Sequence, residues 1–235
     1  MFKNSAGKWV GMALVIALAA WGISHIFPGV QVAAQNEKST ARFVDDQPAY
    51  SVKSHGAKGD GVSDDAEAIQ KAVDSKSGSI RFPAGTYRIS KTIEVNLDKV
   101  GWTAIVGDGS ARIEMTGPGP AIRFTGTHEG TADPASFKEN VWQKQRMPRV
   151  SGIEIVGGHP EADGIEASGT MQITIESVLL RELRHGVRLV KRNRNVLISA
   201  CHIYHNRGVG VYLDHVNLHQ TNIVGSHISY NGGGG

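Results

Sequence analysis

The chain has 235 residues, of which 40% are hydrophobic and 29 are glycine, so it is long enough for one sizeable core with many turns. Its formal charge is +3; outside Lys3 and Lys8, which precede the predicted fold, 23 basic residues face 22 acidic ones. This even balance gives no argument for a nucleic-acid partner. The single cysteine, Cys201, excludes an intramolecular disulfide bond.

Residues 1–34 predict a targeting segment. Lys3 and Lys8 precede an almost wholly apolar run from Val10 to Ile23, and the small residues at 32–34 suit cleavage. The run is shorter than the ~20 residues that a membrane span needs, so we expect a signal peptide, with a retained membrane anchor as the alternative. Either interpretation predicts a folded part that is secreted or lies in the periplasm or cell envelope. Residues 35–48 predict a linker.

A short amphipathic helix is predicted next. Asp64 is suited to cap its start, and Glu67 three residues later completes a capping box. The helix is expected to end near Asp74. We expect it to cover the open end of an apolar core. The residues that form its apolar stripe at helical spacing are Ala66, Ile69, Ala72 and Val73.

Four motifs around this helix carry a family resemblance. They are Asp60-Gly-Val-Ser-Asp-Asp, Ala68-Ile-Gln-Lys-Ala-Val, Phe82-Pro-Ala-Gly-Thr-Tyr and Ile105-Val-Gly-Asp-Gly-Ser. In this order they resemble the opening of the pectate-lyase-superfamily domain, which polygalacturonase-like hydrolases, polysaccharide lyases, alginate epimerases and phage tailspikes share. The resemblance implies an all-β solenoid over residues 49–235, a right-handed single-stranded parallel β-helix with a short N-terminal capping α-helix. It also implies extracellular carbohydrate as the substrate class, but no particular reaction.

The clustered carboxylates of Asp60, Asp64 and Asp65 have two interpretations. Calcium prefers grouped oxygen ligands, so they form a candidate calcium site. Aspartate is also a preferred capping and turn residue, and we favour that structural role. No other cofactor or metal is expected.

Short strands with alternating apolar residues follow from Ser79 to Phe124 and resume at Val150. Between them, residues 125–148 lose the pattern. A long loop in a compact fold is usually functional or disordered. Trp142 in this loop either stacks on a sugar ring or packs the loop onto the β-helix, because aromatic side chains do both.

Asp163-Gly-Ile resembles a segment of the polygalacturonase-like hydrolases, and the resemblance assigns Asp163 to a catalytic set. Those hydrolases carry two further acidic residues one coil later, so that one carboxyl protonates the leaving oxygen while others activate water. Here that position has Leu183-Arg-His-Gly-Val instead. The following coil has Arg207 where the family carries histidine before glycine. The two departures argue against hydrolysis of that kind.

A strongly basic stretch occupies the same coils. The segment Ile173-Thr-Ile-Glu-Ser-Val also resembles alginate epimerases and lyases, although their Asp-Pro-His segment is absent. If basic side chains share one groove, they neutralise uronate carboxylates, which acidifies the C5 proton that a base removes in β-elimination. The alternative is a solvated charge run beside a turn. The basic residues, within fourteen positions, are Arg181, Arg184, Arg188, Lys191, Arg192 and Arg194.

From these arguments we predict two sets of site residues. The catalytic candidates are Asp163, His185 and Arg188. The substrate-binding candidates are Trp142, Arg184, Lys191 and Arg192.

The last 65 residues repeat themselves. Leu180, Ile203 and Ile228 fall in register at intervals of 23 and 25 residues. A repeat of this length built from short strands predicts stacked coils, since one coil cannot bury its own inward row. The alternative is an antiparallel sandwich with coincidental spacing. Cys201 falls at an inward position of the same pattern.

Two polar pairs share this repeat. His202 and His227 are predicted to stack on the outer face, about 4.8 Å apart. A zinc site there would need two further ligands. Asn206 and Asn231 are predicted to form a ladder of turns, because asparagine tolerates left-handed backbone.

The sequence thus predicts a secreted carbohydrate-active protein, a polysaccharide lyase or glycoside hydrolase acting on an acidic, uronate-containing polysaccharide. The alternative is a non-catalytic carbohydrate-binding or surface-adhesion protein. Polysaccharide is the expected partner, nucleic acid is not, and contact with a membrane is expected only through the N-terminal segment. Because the chain stops in mid-coil at Asn231-Gly-Gly-Gly-Gly, we expect a β-helix truncated at its C-terminus.

Overall fold

The structure is a computed structural model that describes residues 50–130 and 132–235. The predicted targeting segment and linker lie outside these described residues. Within them, none of the helices combines the length and the apolar character needed to cross a bilayer. Short parallel strands dominate this part of the chain, which confirms the predicted all-β class.

The described residues form sixteen strands, two α-helices and three short turns of other helix types. The strands are β1 (Asp60–Asp64), β2 (Ser79–Phe82), β3 (Gly85–Ile89), β4 (Ile93–Asn96), β5 (Ala104–Gly107), β6 (Ala111–Met115), β7 (Gly119–Thr125), β8 (Arg149–Ser151), β9 (Glu154–Gly157), β10 (Ala162–Met171), β11 (Thr174–Glu176), β12 (Leu179–Arg181), β13 (Val187–Ser199), β14 (His202–Tyr204), β15 (Val211–Val224) and β16 (His227–Ser229). The helices are α1 (Ala66–Asp74) and α2 (Leu97–Val100), with 3-10 turns at Val52–His55 and Pro134–Ser136 and a π-helical turn at Val141–Gln145.

Successive coils stack their strands in parallel rows. One sheet has the order β1-β3-β6-β9-β12-β14-β16. The other runs β2-β5-β8-β11-β13-β10-β7-β4, with β15 added beside β13. This second sheet holds two rows, because the first half of β13 pairs with β10 and its second half with β11. Each coil therefore has three strand positions, filled by separate strands such as β8, β9 and β10, or by one long strand over two rows, as in β13. The fold is a parallel β-helix.

The predicted column of aliphatic side chains is confirmed. Leu180 lies opposite Ile203, and Ile203 lies opposite Ile228, in consecutive parallel strands. A second column places Ile175 beside Ile198. Because every inward residue sits on its counterpart in the next coil, the core is continuous along the solenoid. The antiparallel alternative is excluded.

Cys201 points into this core, as its place in the repeat predicts. It is fully buried, and burial raises the pKa of its thiol. Its thiol donates to the carbonyl oxygen of Ser199 at 3.2 Å. It therefore behaves as a small apolar core residue.

The capping helix α1 forms where it was predicted, and its apolar stripe joins the core. The prediction that Asp64 caps this helix is wrong by one residue: the N-cap is Asp65, and Asp64 before it accepts a hydrogen bond from the amide of Ala66 at 3.0 Å. The predicted capping box is wrong, because Glu67 turns outward and pairs with Lys91 at 3.5 Å. Asp65 instead secures the preceding turn through the amides of Lys58 and Gly59.

The asparagine ladder exists, but for a different reason from the one predicted. The left-handed residues are the preceding ones, His205 and Tyr230, both with φ of 54°. Asn206 is 2% exposed and accepts from the amide of Leu183 at 3.0 Å. Its own side-chain amide donates to the side-chain oxygen of Asn231 at 2.9 Å. The asparagines therefore stabilise the stack by side-chain hydrogen bonds between coils.

Candidate functional site

A row of alternating charges runs along the outward face of β4, β7, β10 and β13. Glu94, Arg123, Glu166 and Arg188 lie opposite one another in consecutive strands. Arg123 contacts both Glu94 and Glu166 at 2.6 Å, and Arg188 contacts Glu166 at 2.8 Å. Opposite charges on neighbouring strands stabilise a sheet, so this row also ties four coils together.

Asp163 lies at the start of β10 with 0% exposure. Arg184 holds its carboxylate with both ends of the guanidinium fork, from Nε at 2.9 Å and from Nη2 at 2.6 Å. The backbone amide of His185 adds a bond at 3.1 Å, and Arg188 adds a longer one at 3.4 Å. A buried charge needs such partners, and here they leave no side of the carboxylate open to solvent.

Arg188 joins three carboxylates into one cluster. Besides Asp163 and Glu166, its Nη2 contacts Asp214 at 2.6 Å, and this hydrogen bond lowers the pKa of Asp214. We call Asp163, Glu166, Arg184, Arg188 and Asp214 the charge network. With three carboxylates and two guanidinium groups, the network is not the basic groove that the sequence predicts.

Arg184 keeps one free donor at the edge of the network. Its Nε and Nη2 face Asp163, whereas Nη1 has no hydrogen-bond partner within the described residues. The side chain is also partly open to solvent. Arg184 can therefore hold Asp163 and still offer an N–H to an incoming anion.

His185 lies beside the network in a defined orientation. Its Nδ1 accepts from the backbone amide of Val209 at 3.0 Å, so the proton of the neutral ring is on Nε2. Burial lowers the pKa of His185 and favours this neutral form. The ring stacks on Tyr212, with centroids 4.5 Å apart and planes inclined by 19°. The imidazole and phenol rings thus lie face to face.

Lys191 and Arg192 lie elsewhere. They line a cleft of about 550 Å³ beside the long loop, together with residues of β7 and β10. Arg192 also holds that loop by donating to the Gly130 carbonyl oxygen at 3.0 Å. The structure therefore brings Asp163, Arg184, His185 and Arg188 together and separates Lys191 and Arg192 from them.

Trp142 is engaged within its own loop. Its ring stacks on Phe137 at 5.2 Å, and the Arg146 guanidinium lies 4.2 Å from the ring centre. The nearby Gln145 anchors the loop to the solenoid by donating to the Asp98 carboxylate at 3.0 Å. Of the two interpretations of Trp142, this geometry favours the packing role.

The sequence reasoning missed several members of the site. Glu166 and Arg123 could have been predicted from the sequence, because alternation along β10 and β7 puts both side chains on the outward face. Tyr212 and Asp214 follow in the next coils at the same phase. Only their pairing with Arg188 needs the coordinates.

The candidate metal ligands are occupied by other partners. Asp60 accepts from the amides of Val62 and Ser63, and these bonds, that from Ser63 first, lower its pKa to about 2. His202 and His227 lie one coil apart on paired strands, as predicted, but their rings are nearly perpendicular (89°), with centres 6.0 Å apart. Across residues 50–130 and 132–235 there is no group of three or more histidine, cysteine or acidic side chains placed to hold a metal ion.

Residues 49–145 match the family model for the rhamnogalacturonase A/epimerase, pectate lyase-like domain. They cover the capping helix, the first coils and most of the long loop. The predicted resemblance to the pectate-lyase superfamily is confirmed. All members of the charge network, from Asp163 to Asp214, lie beyond the matched residues.

Two curated relatives show the range of proteins to which this chain is similar. Mannuronan C5-epimerase AlgE6 of Azotobacter vinelandii is 51% identical over 186 residues, which cover 71% of this chain and 20% of the relative. Plasmin and fibronectin-binding protein A of Streptococcus pneumoniae is 26% identical over 182 residues, covering 64% and 23%. The chain spans less than a quarter of the length of the curated relatives it matches.

The fold is shared with solved structures. The AlgE6 A-module of Azotobacter vinelandii superposes with a TM-score of 0.57 at 22% sequence identity, covering 77% of this chain and 50% of that one. At this identity the likeness concerns the fold alone.

Proposed function

We propose that this protein acts on an acidic, uronate-containing polysaccharide by removing the proton next to the sugar carboxylate, as a polysaccharide lyase does. The His185–Tyr212 pair beside the free Nη1 of Arg184 carries the proposal. The curated relatives, which include mannuronan C5-epimerases and alginate lyase 7, support a carbohydrate-active β-helix protein. The predicted targeting segment supports action outside the cytoplasm.

The chemistry assigns a role to each side chain. Arg184 Nη1 binds the substrate carboxylate, which lowers the pKa of the C5 proton. Tyr212, which lies opposite Arg188 on the neighbouring strand, accepts that proton on its phenolate oxygen. The same proton then passes from Tyr212 to the leaving oxygen at C4, while the neutral His185 donates a hydrogen bond from Nε2 to the substrate. Asp163 is a positioning residue that orients Arg184 and the His185 backbone.

Hydrolysis is disfavoured by the same geometry. A glycosidase needs one protonated carboxyl group and one carboxylate with access to substrate or water. Asp163 is enclosed by two guanidinium groups, and Glu166 is held between Arg123 and Arg188. Neither carboxylate is free for that chemistry.

A non-catalytic binding protein is the second candidate. One observation favours it. Arg188 forms ion pairs with Asp163, Glu166 and Asp214, so these charges neutralise one another, as they do in purely structural ion pairs. The similarity to plasmin and fibronectin-binding protein A is consistent with a surface-binding role.

A panel of uronate polymers tests the proposal. The full chain is incubated with each polymer while ultraviolet absorbance reports unsaturated ends, a reducing-sugar assay reports hydrolysis, and NMR in D2O reports exchange at C5. We expect unsaturated ends from at least one polymer. Binding without any product would support the second candidate instead.

The variant Tyr212→Phe separates chemistry from binding. Loss of a proton-transfer group lowers kcat by about 10²–10⁴-fold, whereas KM changes little. Tyr204→Phe is the matched control, because Tyr204 lies on β14 in the other sheet. Equal activity of the two variants would contradict the role given to Tyr212.

A further inference from the structure

The polar cleft that Lys191 and Arg192 line lies where β7 ends and the long loop begins. The loop first continues the sheet: the Gly126 amide donates to the Ser168 carbonyl oxygen at 2.8 Å, and the His128 amide donates to the Gly169 carbonyl oxygen at 2.9 Å. The wall of the cleft is therefore set by backbone hydrogen bonds. Its lining residues are Thr125, Gly126, Thr127, His128, Glu129, Ser168, Gly169, Lys191 and Arg192.

The floor of the cleft is a packed bulge. Gly169 and Lys191 both have left-handed backbone, with φ of 65° and 57°, and the strand register shifts beside each of them. A Cβ atom added at Gly169 would lie 2.4 Å from the Gly126 carbonyl oxygen. Bulges redirect side chains, and they are frequent next to functional sites. Here the bulge turns Lys191 out of the strand alternation, and Lys191 lines the cleft.

His128 is the unexplained group of this cleft. It is 2% exposed, yet neither ring nitrogen has a hydrogen-bond partner among the described residues. Leaving a buried polar group without a partner costs free energy, so such groups are rare unless a ligand or water serves them. His128 lines the cleft, so its unpartnered ring lies next to the space that a bound molecule would occupy.

The protonation state of His128 narrows the class of ligand. Burial first, and then the nearby positive charges of Arg194 and Arg192, lower the pKa of His128. The neutral ring offers one N–H donor and one acceptor nitrogen. Sulfate offers only acceptors, whereas a sugar acid offers carboxylate acceptors and hydroxyl donors together.

We infer that this cleft binds one sugar-acid unit of a polysaccharide, with the carboxylate between Lys191 and His128 and the ring hydroxyls toward Ser168, Thr127 and Glu129. The inference rests on the proposed function for its choice of ligand. The volume of about 550 Å³ lies within the usual range of small-molecule pockets. Lys191 supplies the charge, and Arg192 closes one side while it holds the loop at Gly130.

The test follows the ring signals of His128 by NMR in the full chain during titrations with an oligouronate, a neutral oligoglucan of equal length, and sodium sulfate. We expect the oligouronate alone to shift His128 and to raise its pKa, because a nearby carboxylate favours the protonated ring. Lys191→Ala is expected to weaken oligouronate binding at least tenfold. The control is Lys76→Ala, since Lys76 has the same left-handed backbone, with φ of 59°, away from the cleft.

The outcomes separate the two proposals. Oligouronate binding that survives both Lys191→Ala and His128→Gln, but is lost in Arg184→Ala, overturns the inference and leaves the proposed function standing. A His128 shift of equal size with sulfate also overturns it, because the cleft would then bind simple anions. Absence of any oligouronate binding contradicts the proposed function as well.

Discussion

Left-handed residues form the corners between strands, and they recur one coil apart. Ser177, Ala200 and Gly225 occupy one such corner, with φ of 52°, 51° and 60°. Only one of the three is glycine, so a side chain is tolerated where the space around the corner is open. At Gly169 the space is closed by the Gly126 backbone, and glycine is required there.

This difference predicts unequal costs for two glycine substitutions. Gly225→Ala introduces a left-handed alanine in open space, which costs about 1–2 kcal/mol of the free energy of unfolding. Gly169→Ala adds the same strain plus a clash with the Gly126 carbonyl, which costs about 1–3 kcal/mol more. Urea unfolding of the two variants measures the gap directly. Equal losses would show that the bulge is looser than its geometry indicates.

At the scale of the secondary-structure elements, polar side chains link neighbouring strands, both at their turns and on their outward faces. The asparagine ladder connects β12, β14 and β16 at one corner through side-chain amides. The charged row does the same on the outward face through Arg123 and Arg188. Polar side chains therefore hold neighbouring coils in register at positions where apolar packing is absent, and a shift by one residue would break both sets of contacts.

Asn206→Ala tests the ladder. It leaves the Leu183 amide and the Leu180 carbonyl oxygen without their side-chain partner, so we expect a loss of about 1–3 kcal/mol in the free energy of unfolding. Asn222→Ala on exposed β15 is the control and should change stability by less than about 0.5 kcal/mol. Chemical denaturation of both variants checks this. A loss as small as the control's would mean that water replaces the amide.

At the scale of the whole molecule, the core is a stack of side chains from successive coils, and these side chains differ in how much of their surface is exposed to solvent. Leu189 and Leu213 occupy the same column in adjacent strands. Leu189 is 0% exposed, because β10 and β15 flank it, whereas Leu213 is 52% exposed. Stability in a solenoid is a sum over neighbouring coils, so residues in the outermost described coil contribute less.

The two leucines therefore form a matched pair. Leu189→Ala should cost about 2–5 kcal/mol of the free energy of unfolding, because it opens a cavity in a packed core. Leu213→Ala removes a half-exposed side chain and should cost less than about 1.5 kcal/mol. Thermal and urea unfolding of each variant in the full chain provides the comparison. Similar costs would indicate that Leu213 is covered in solution.

The candidate site was predictable in part. Coil spacing placed Asp163, Arg184, His185 and Arg188 together, because residues one repeat apart must stack. Lys191 and Arg192 were grouped with them as members of one basic stretch, but the bulge at Lys191 directs both to another cleft. Alternation along a strand cannot anticipate a bulge, since one inserted residue changes the face of everything after it.

The sequence by itself determined the solenoid, its capping helix and the aliphatic columns, because alternation and a repeat of 23–25 residues admit few other ways to bury the inward rows. Tertiary structure alone decided which charges pair. Arg184 and Arg188 face carboxylates from other coils instead of open solvent, and His128 lies buried beside a cleft that a loop completes. Both outcomes depend on contacts between residues far apart in the chain, and the spacing of residues along the sequence does not specify which of them meet.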